Sequence, residues 1–586
     1  MAKGFDLLHI NDAVGGKNRF DLSRSHLTTA EFGQILPLMS SEMIPGDKFN
    51  VKASYFSRMA PLVLPTYGKA EFKTAAFFVP YHQVSYDIDA WLAGKTINRG
   101  IAPVNRYFLM VDLFNFFVSY HCSIDGTQES HDFSYINSAG TTVYKKLNTF
   151  GRMAYKVFRS LGYQIPQPDF QTGSEWVTSI SSQKLSALPL LCYLKAYTDW
   201  MQISSRYNVS NLVNLLERIR NNSSITIGES TLYSNGRLYT DIFSSMLNDV
   251  RLAYDNDYFT SCWSTPNSLL DTIESVSSVS QVATKSISTS KASYRTINNG
   301  VDNVSFSLSS SDYISQRSLR FLKAFDNWVR RNNYSGAKDV NQIYSRFGIK
   351  IDNLKEYYAH LIGTDSSPIQ IGDVTSMAQT QQGNLGEYAG KGIMSGEKGF
   401  SYSAQDFGQF IILGWYTVRP MYYQGFDRSV LKNTPMDYFQ PEFDGLGGNP
   451  VSRNEVCVTY SGNKIFGFNE RYNEYKFGRD LITGDYDLGQ FKNSGIGAFH
   501  FGRDLSNLIE NYGAQTTSFN NVGNFEGTTE YNKIFQNPDD TSFSADHFYL
   551  TCYFDVEAYR PMKTLSEAVD LGRGDTTIER NGNQLN

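Results

Sequence analysis

A mostly β chain of the sandwich or jelly-roll kind is what this sequence predicts, on three observations. In "YLTCYFDVEAYRPM" near the C-terminus, Leu550, Cys552, Phe554, Val556 and Ala558 take one face, and Tyr549, Thr551, Tyr553, Asp555 and Glu557 take the other. That period of two marks a half-buried strand. Residues 49–85 carry the same signal: Val51, Ala53 and Tyr55 share a face, while Ala70 and Phe72 oppose Lys69, Glu71 and Lys73. Finally, these strong β segments stand near opposite ends of a 586-residue chain. One sheet can pair them only if the chain doubles back over a great distance, as it does in a jelly roll.

The elements follow in chain order. Residues 1–48 read as an extended arm, mildly basic through Lys3, Lys17, Arg19 and Arg24. Prolines 61, 65 and 80 punctuate the strands of residues 49–85 and suit edges and turns. Leu185–Tyr207 carries a helical stripe of Leu190, Leu194, Tyr197 and Met201, with Pro189 in its first turn. Ser315–Asn333 aligns Leu322, Phe325 and Val329 behind a possible Ser315 cap. Residues 123–184, 205–250 and 267–311 are rich in Ser, Asn, Thr and Gly and read as exposed excursions from the core. "FGQFIILGWYTVRP", residues 407–420, is apolar throughout and reads as a core strand. There is no internal repeat.

Composition narrows the function classes. Charged residues make up 19% and aromatics 14%, with 38 Tyr and 40 Phe against 6 Trp. Tyr and Phe favour strands and are enriched where proteins meet proteins. Such a chain is suited to bury surface twice, in its own core and against neighbours. A net charge of −5 argues against condensing nucleic acid by overall charge. Cys122, Cys192, Cys262, Cys457 and Cys552 stand far apart and read as free thiols. No signal peptide is apparent at the start, and "FIILGWY" is too short to cross a bilayer.

Catalytic and metal motifs fail on spacing. "GNLGEYAGKG" lacks the glycine spacing and the terminal hydroxyl of a phosphate loop and reads as a glycine loop. The eight histidines show no metal-ligand spacing. Glu470 and Glu474, with Asp485 or Asp487, could be imagined as a glycosidase pair. They are interleaved with Arg471, Lys476 and Arg479 among aromatics, a pattern better suited to fixing a polypeptide surface. No cofactor or metal is expected.

Segments in order along the chain then resemble a family. They include "PGDKF", "SRMAPLVLP" and "FFVPYHQV", with a helix expected around Trp91. "LSALPLLCYLKAYTDW", "DYFTSCW", "SLRFLKAFDNW" and "YSRFGI" follow. "YYQGFDR", "DYFQPEFDGLGGNPV", "FGFNERYNEYKFGRDLITGDY" and "DHFYLTCYFDVEAYRPM" close the series. Together they resemble the major capsid protein of the Microviridae, small single-stranded DNA bacteriophages, and especially its gokushovirus-like branch. Phe468 and Asn469 depart from the family's usual Tyr-Gln.

The resemblance implies one eight-stranded viral jelly roll over residues 49–586, with a few helices and long inserted loops near 123–184, 205–250 and 267–311. It implies a non-enzymatic structural protein of the virion, assembled in the bacterial cytoplasm. Its partners would be further copies of itself in a T=1 icosahedral shell, circular single-stranded DNA, a small basic DNA-binding virion protein and other phage structural proteins. One insertion, with residues 267–311 favoured by position, would protrude toward a host receptor; no membrane is involved. We expect Phe466, Phe468, Glu470, Arg471, Tyr472, Glu474, Tyr475 and Arg479 at a subunit interface, and Lys3, Lys17, Arg19 and Arg24 facing DNA. A jelly-roll glycan-binding adhesin and a glycoside hydrolase are the competing classes.

Overall fold

Five strands open the chain: β1 (Asn18–Asp21), β2 (Arg24–Ala30), β3 (Leu36–Met43), β4 (Lys48–Met59) and β5 (Ala70–Pro80). A long insertion follows. Its first half holds helix α1 (Ile88–Leu92), β6 (Tyr107–Leu109), α2 (Met110–Val118), β7 (Ser123–Asp125), β8 (Phe133–Ile136), β9 (Thr142–Leu147) and α3 (Thr149–Ser160). Its second half holds β10 (Lys184–Ser186), α4 (Leu188–Trp200), α5 (Asn211–Arg220), β11 (Ile225–Ile227), β12 (Ser230–Ser234), β13 (Arg237–Leu238) and α6 (Thr240–Leu247). Then come β14 (His360–Pro368), β15 (Gln370–Thr375), β16 (Tyr388–Ser403) and β17 (Gly408–Val418). A second insertion carries β18 (Gly448–Ser452) and β19 (Ile465–Glu470), before β20 (Phe548–Arg560).

This computed structural model describes residues 17–63, 66–95, 103–137, 139–165, 183–202, 211–263, 323–325, 327–328, 331, 339–348, 357–375, 388–422, 425–445, 448–458, 465–478, 480–486, 500–503, 505, 529–535, 546–562, 578–580 and 583–585.

The protein is mostly β, with several sheets, and two of them dominate. One runs β15-β16-β4-β20, with β1 and β2 pairing successive stretches of β20; the other runs β14-β5-β17-β3. The pairings within both are antiparallel. They pack face to face through rings. Tyr55 of β4 meets Phe72 of β5 at 5.6 Å between centroids, and Phe49 meets Phe410 at 6.0 Å. Tyr416 of β17 stacks on Phe548 of β20 at 3.9 Å, and its hydroxyl donates to Ser57 Oγ at 2.6 Å.

The two sheets differ in what covers their outer faces, and the strand patterns record it. β20 and β4 alternate buried and exposed along most of their lengths, because one face packs and the other meets solvent. β17 is buried at nearly every position, and so is most of β5. Helix α4 lies against both of these strands, and α3 lies against β3. Tyr193 of α4 donates to the Ile35 carbonyl at 2.9 Å, and Trp200 Nε1 donates to the Ala359 carbonyl at 2.7 Å. Asn148 caps α3 by accepting from the Gly151 N–H at 2.8 Å. Lys156 of that helix bonds Asp546 at 2.9 Å and Gln34 at 2.6 Å. The result is three layers: helices, the β17 sheet, then the β20 sheet.

Several expectations need correction. Residues 18–43, read as part of an arm, form β1–β3 and pair within the large sheets. The excursions at 123–184 and 205–250 are folded wherever described. Phe158, Val157, Leu212, Ile242 and Phe243 all lie in the main core. Ser and Asn there serve turns and caps between short apolar elements, so average polarity concealed the fold. The insertion organises a sheet ordered β10-β6-β13-β12-β11 around Arg106. This guanidinium is fully buried, pairs with Asp87 at 2.7 Å, and donates to the carbonyls of Ile219, Val104 and Arg220. Of the supposed glycine loop, Tyr388–Gly392 belongs to β16; the rest lies outside the described residues, as do residues 267–311. Of residues 315–333 only 323–325, 327, 328 and 331 are described, and they are helical. The five cysteines are buried and unbridged, as expected.

Two predictions test this packing. Truncating inward Phe554 to Ala is expected to cost about 3–5 kcal/mol, while outward Tyr553→Ala stays within about 0.5 kcal/mol. Chemical denaturation of the unassembled chain measures both. The second concerns His26, whose Nδ1 lies 2.8 Å from the Leu38 carbonyl between β2 and β3. Burial, with Arg24 nearby, lowers its pKa below the ordinary 6.5. Its contribution is therefore present above pH 6.5 and lost as pH falls through the lowered folded-state value. Stability profiles of the wild type and His26→Gln should diverge in that acid window, with the wild type falling more steeply.

Candidate subunit interface

The second insertion builds its own small core. β18 and β19 pair antiparallel, and Phe468 exchanges two backbone hydrogen bonds with Trp263 at 2.7 and 2.9 Å. Beneath this ribbon Phe259, Cys262, Val451, Val456, Cys457, Phe466 and Leu505 form a cluster separate from the main core. One buried carboxylate organises the surrounding chain. Glu455 accepts from the Tyr258 hydroxyl at 2.8 Å, Arg428 Nη1 at 2.8 Å and the Ser452 N–H at 2.9 Å. Burial, reinforced by the Glu455 charge, pushes the Tyr258 hydroxyl pKa far up, so it stays a donor. Gly425 is required beside this group: a Cβ there would lie 1.9 Å from the Glu455 carbonyl oxygen.

The predicted segment sits on this core, and its two glutamates are paired inside the chain. Phe466 is buried in the cluster and Phe468 is half-buried in β19. Glu470 pairs with Lys476 at 3.0 Å, and Glu474 with Lys432 at 3.1 Å. Lys432 also donates to the Tyr475 hydroxyl at 2.8 Å and lies 4.0 Å from that ring's centroid. Arg471 stacks near Phe443 at 5.7 Å and Tyr472 at 5.9 Å. Tyr472 turns the chain in the left-handed region, φ 64°, and its hydroxyl accepts from the Gln440 N–H at 3.1 Å. Arg479 and Asp487 lie outside the described residues. Glu470 and Glu474, each tied to a lysine, are poorly placed as a hydrolytic acid–base pair. The region exposes large apolar and aromatic side chains, Val430, Tyr438, Phe439, Ile465, Tyr475 and Leu481, beside the charged Glu442, Asp444 and Lys476. Arg428, Lys432 and Glu455 were missed by the sequence reading; Glu455, three residues after Ser452, completes a capping box that could have found it.

The candidate DNA-facing residues do not converge. Lys3 lies outside the described residues, and Lys17 is exposed. Arg19 pairs with Glu557, while Arg24 donates to the Ser40 carbonyl at 2.8 Å and to Ser41 Oγ at 2.6 Å. Among the described residues no group of His, Cys, Asp and Glu could hold a metal, and no helix is long and apolar enough to cross a membrane.

A family model described as "Capsid protein (F protein)" matches residues 9–99 and 166–569, most of the chain. The chain belongs to this capsid protein family. The relatives found are the capsid proteins VP1 of two phages. That of Chlamydia phage 1 is 23% identical over 602 residues, covering 94% of this chain and 95% of the relative. That of Bdellovibrio phage phiMH2K is 26% identical over 203 residues, covering 34% of this chain and 35% of the relative. These findings support the gokushovirus-like Microviridae resemblance read from the motifs. The stretch between the two matched blocks, 100–165, holds α2, the β7–β9 sheet and α3 of this capsid protein.

Removing the organising carboxylate tests the architecture. Glu455→Ala is expected to cost about 3 kcal/mol by stranding Arg428 and Tyr258. Hydrogen exchange should quicken in β18 and β19 while β20 keeps its protection.

Proposed function

We propose that this capsid protein is a jelly-roll subunit that assembles with its own copies into a closed T=1 shell around circular single-stranded DNA. The observation that carries the reading is the match to a phage capsid protein along nearly the whole of both chains. The strand order supports the fold part of it. With β1 and β15 set aside as additions to the first sheet, the orders β2-β20-β4-β16 and β3-β17-β5-β14 are compatible with two interlocked Greek keys. Both large excursions from this frame are insertions: β5 to β14, and β17 to β20.

We assign the surface around β18 and β19 to a subunit contact. Glu470 and Glu474 are paired within the chain, and the rim offers a neighbour rings and aliphatics. Heterologous patches of this kind close around symmetry axes without any catalyst. Residues 267–311 are our assignment for the protrusion that meets the host. The small basic virion protein and other phage proteins complete the partners by family analogy.

Leu481 is 72% exposed and Val430 is 67% exposed. Leu481→Asp and Val430→Asp should therefore leave the subunit folded, as read by circular dichroism, yet abolish closed particles in electron micrographs. Normal shells from both variants would remove this surface from the contact.

A further inference from the structure

The second insertion buries a cation for which the chain supplies no acceptor. Arg453 directly follows β18 and is 4% exposed. Its Nε is sealed from solvent and makes no hydrogen bond, and among the described residues no carboxylate pairs with its guanidinium. The acids around it are committed elsewhere. Glu455, two positions on, spends Oε1 on Arg428 and the Ser452 N–H, and Oε2 on the Tyr258 hydroxyl. Glu474 is held by Lys432. The turn that carries Arg453 is itself fixed: its carbonyl accepts from the Val456 and Cys457 N–H groups, each at 2.9 Å. Val451, Val456 and Cys457, on either side in the chain, belong to the insertion's apolar cluster. Arg471 makes a contrast. Its Nε also lacks an acceptor, but it is only half-buried and lies over the rings of Phe443 and Tyr472, which receive a cation favourably.

We propose that Arg453 anchors a site for a small tetrahedral oxyanion of the phosphate or sulfate class. Arginine keeps its charge in proteins, and a buried charge without a counter-ion is strongly destabilising. The guanidinium fork presents parallel donors at the spacing of two oxygens on one anion, a match that a spherical chloride does not make. Depth selects the occupant further. With 4% of the residue exposed, the opening admits an ion and excludes a nucleic-acid strand or the face of another protein. An anion held there neutralises the surplus cation and ties the Arg453 turn, and with it the end of β18, to one arrangement. The inference does not depend on shell formation, and the purified, unassembled full-length chain tests it.

Isothermal titration calorimetry with inorganic phosphate, in chloride buffer at constant ionic strength, should show one saturable site. Arg453→Met should weaken that binding by about tenfold or more, the loss of a charge-assisted contact. Arg453→Lys, which keeps the charge without the fork, should fall between the two, and it carries the test if the Met variant does not fold. Hydrogen exchange gives an independent readout. Without phosphate, Arg453→Met should protect β18 and β19 at least as well as the wild type does, because it removes an uncompensated buried charge. Adding phosphate should slow exchange there in the wild type and leave the variant unchanged. An absence of saturable binding overturns the proposal, as does equal binding by the wild type and Arg453→Met. So does weaker protection of the variant in phosphate-free buffer, which would mean that the chain itself partners the guanidinium. Displacement of the phosphate by an oligonucleotide would make this a nucleic-acid contact and would overturn the small-ion assignment as well.

Discussion

The β14-β5-β17-β3 sheet must be covered on both faces, and the rest of the structure depends on that. β17 presents Phe410, Ile411, Ile412 and Leu413 consecutively, so both pleats are apolar and neither can face water. One face is closed by the β20 sheet through ring contacts. The other needs a layer that the strands of the two sheets do not supply. The insertion between β5 and β14 provides it, with α4 buried on nearly every side and α3 held over β3. This insertion is therefore part of the folding unit rather than decoration on it.

Both insertions are organised in the same way, by one buried ionised group that gathers the chain around it. Arg106 collects three carbonyls and Asp87 in the first. Glu455 collects Tyr258, Arg428 and a backbone N–H in the second. A buried charge is tolerable only when it is well partnered, so each group ties the chain segments that supply its partners to one arrangement. That suits a segment whose outer surface must hold a fixed shape.

The strands were legible because alternation is local. Val51, Ala53 and Tyr55, and the whole inward series from Leu550 to Ala558, could be assigned to a buried face without knowing any partner. The segment 407–420 was legible as a core strand for the same reason. The folded state of the excursions was not. Their elements are short, and Phe158 or Phe243 becomes recognisable as core only when helices distant in sequence meet. β2 was missed because a strand that bonds only its neighbour's outer stretch carries Ser, His and Thr, residues that read equally well as a tail. In the candidate contact the residue types were visible, but their pairings were not. Lys432 and Arg428 lie tens of positions from Glu474 and Glu455, and no periodic pattern links them.

That last point changes what the crowded segment is for. Alternating acids and bases among rings suggest that ions recognise the neighbour. With Glu470 on Lys476 and Glu474 on Lys432, those ions are already spent inside the subunit, where they hold the turn at Tyr472 in an unusual conformation. The large side chains left facing solvent include Tyr475, Leu481, Tyr438 and Phe439, which are apolar or amphipathic. An interface made this way takes its free energy from ring burial and its shape from internal ion pairs. The low charge content and the stock of Tyr and Phe are thus two sides of one arrangement: ions set geometry within the subunit, and rings are left to meet whatever lies beyond it.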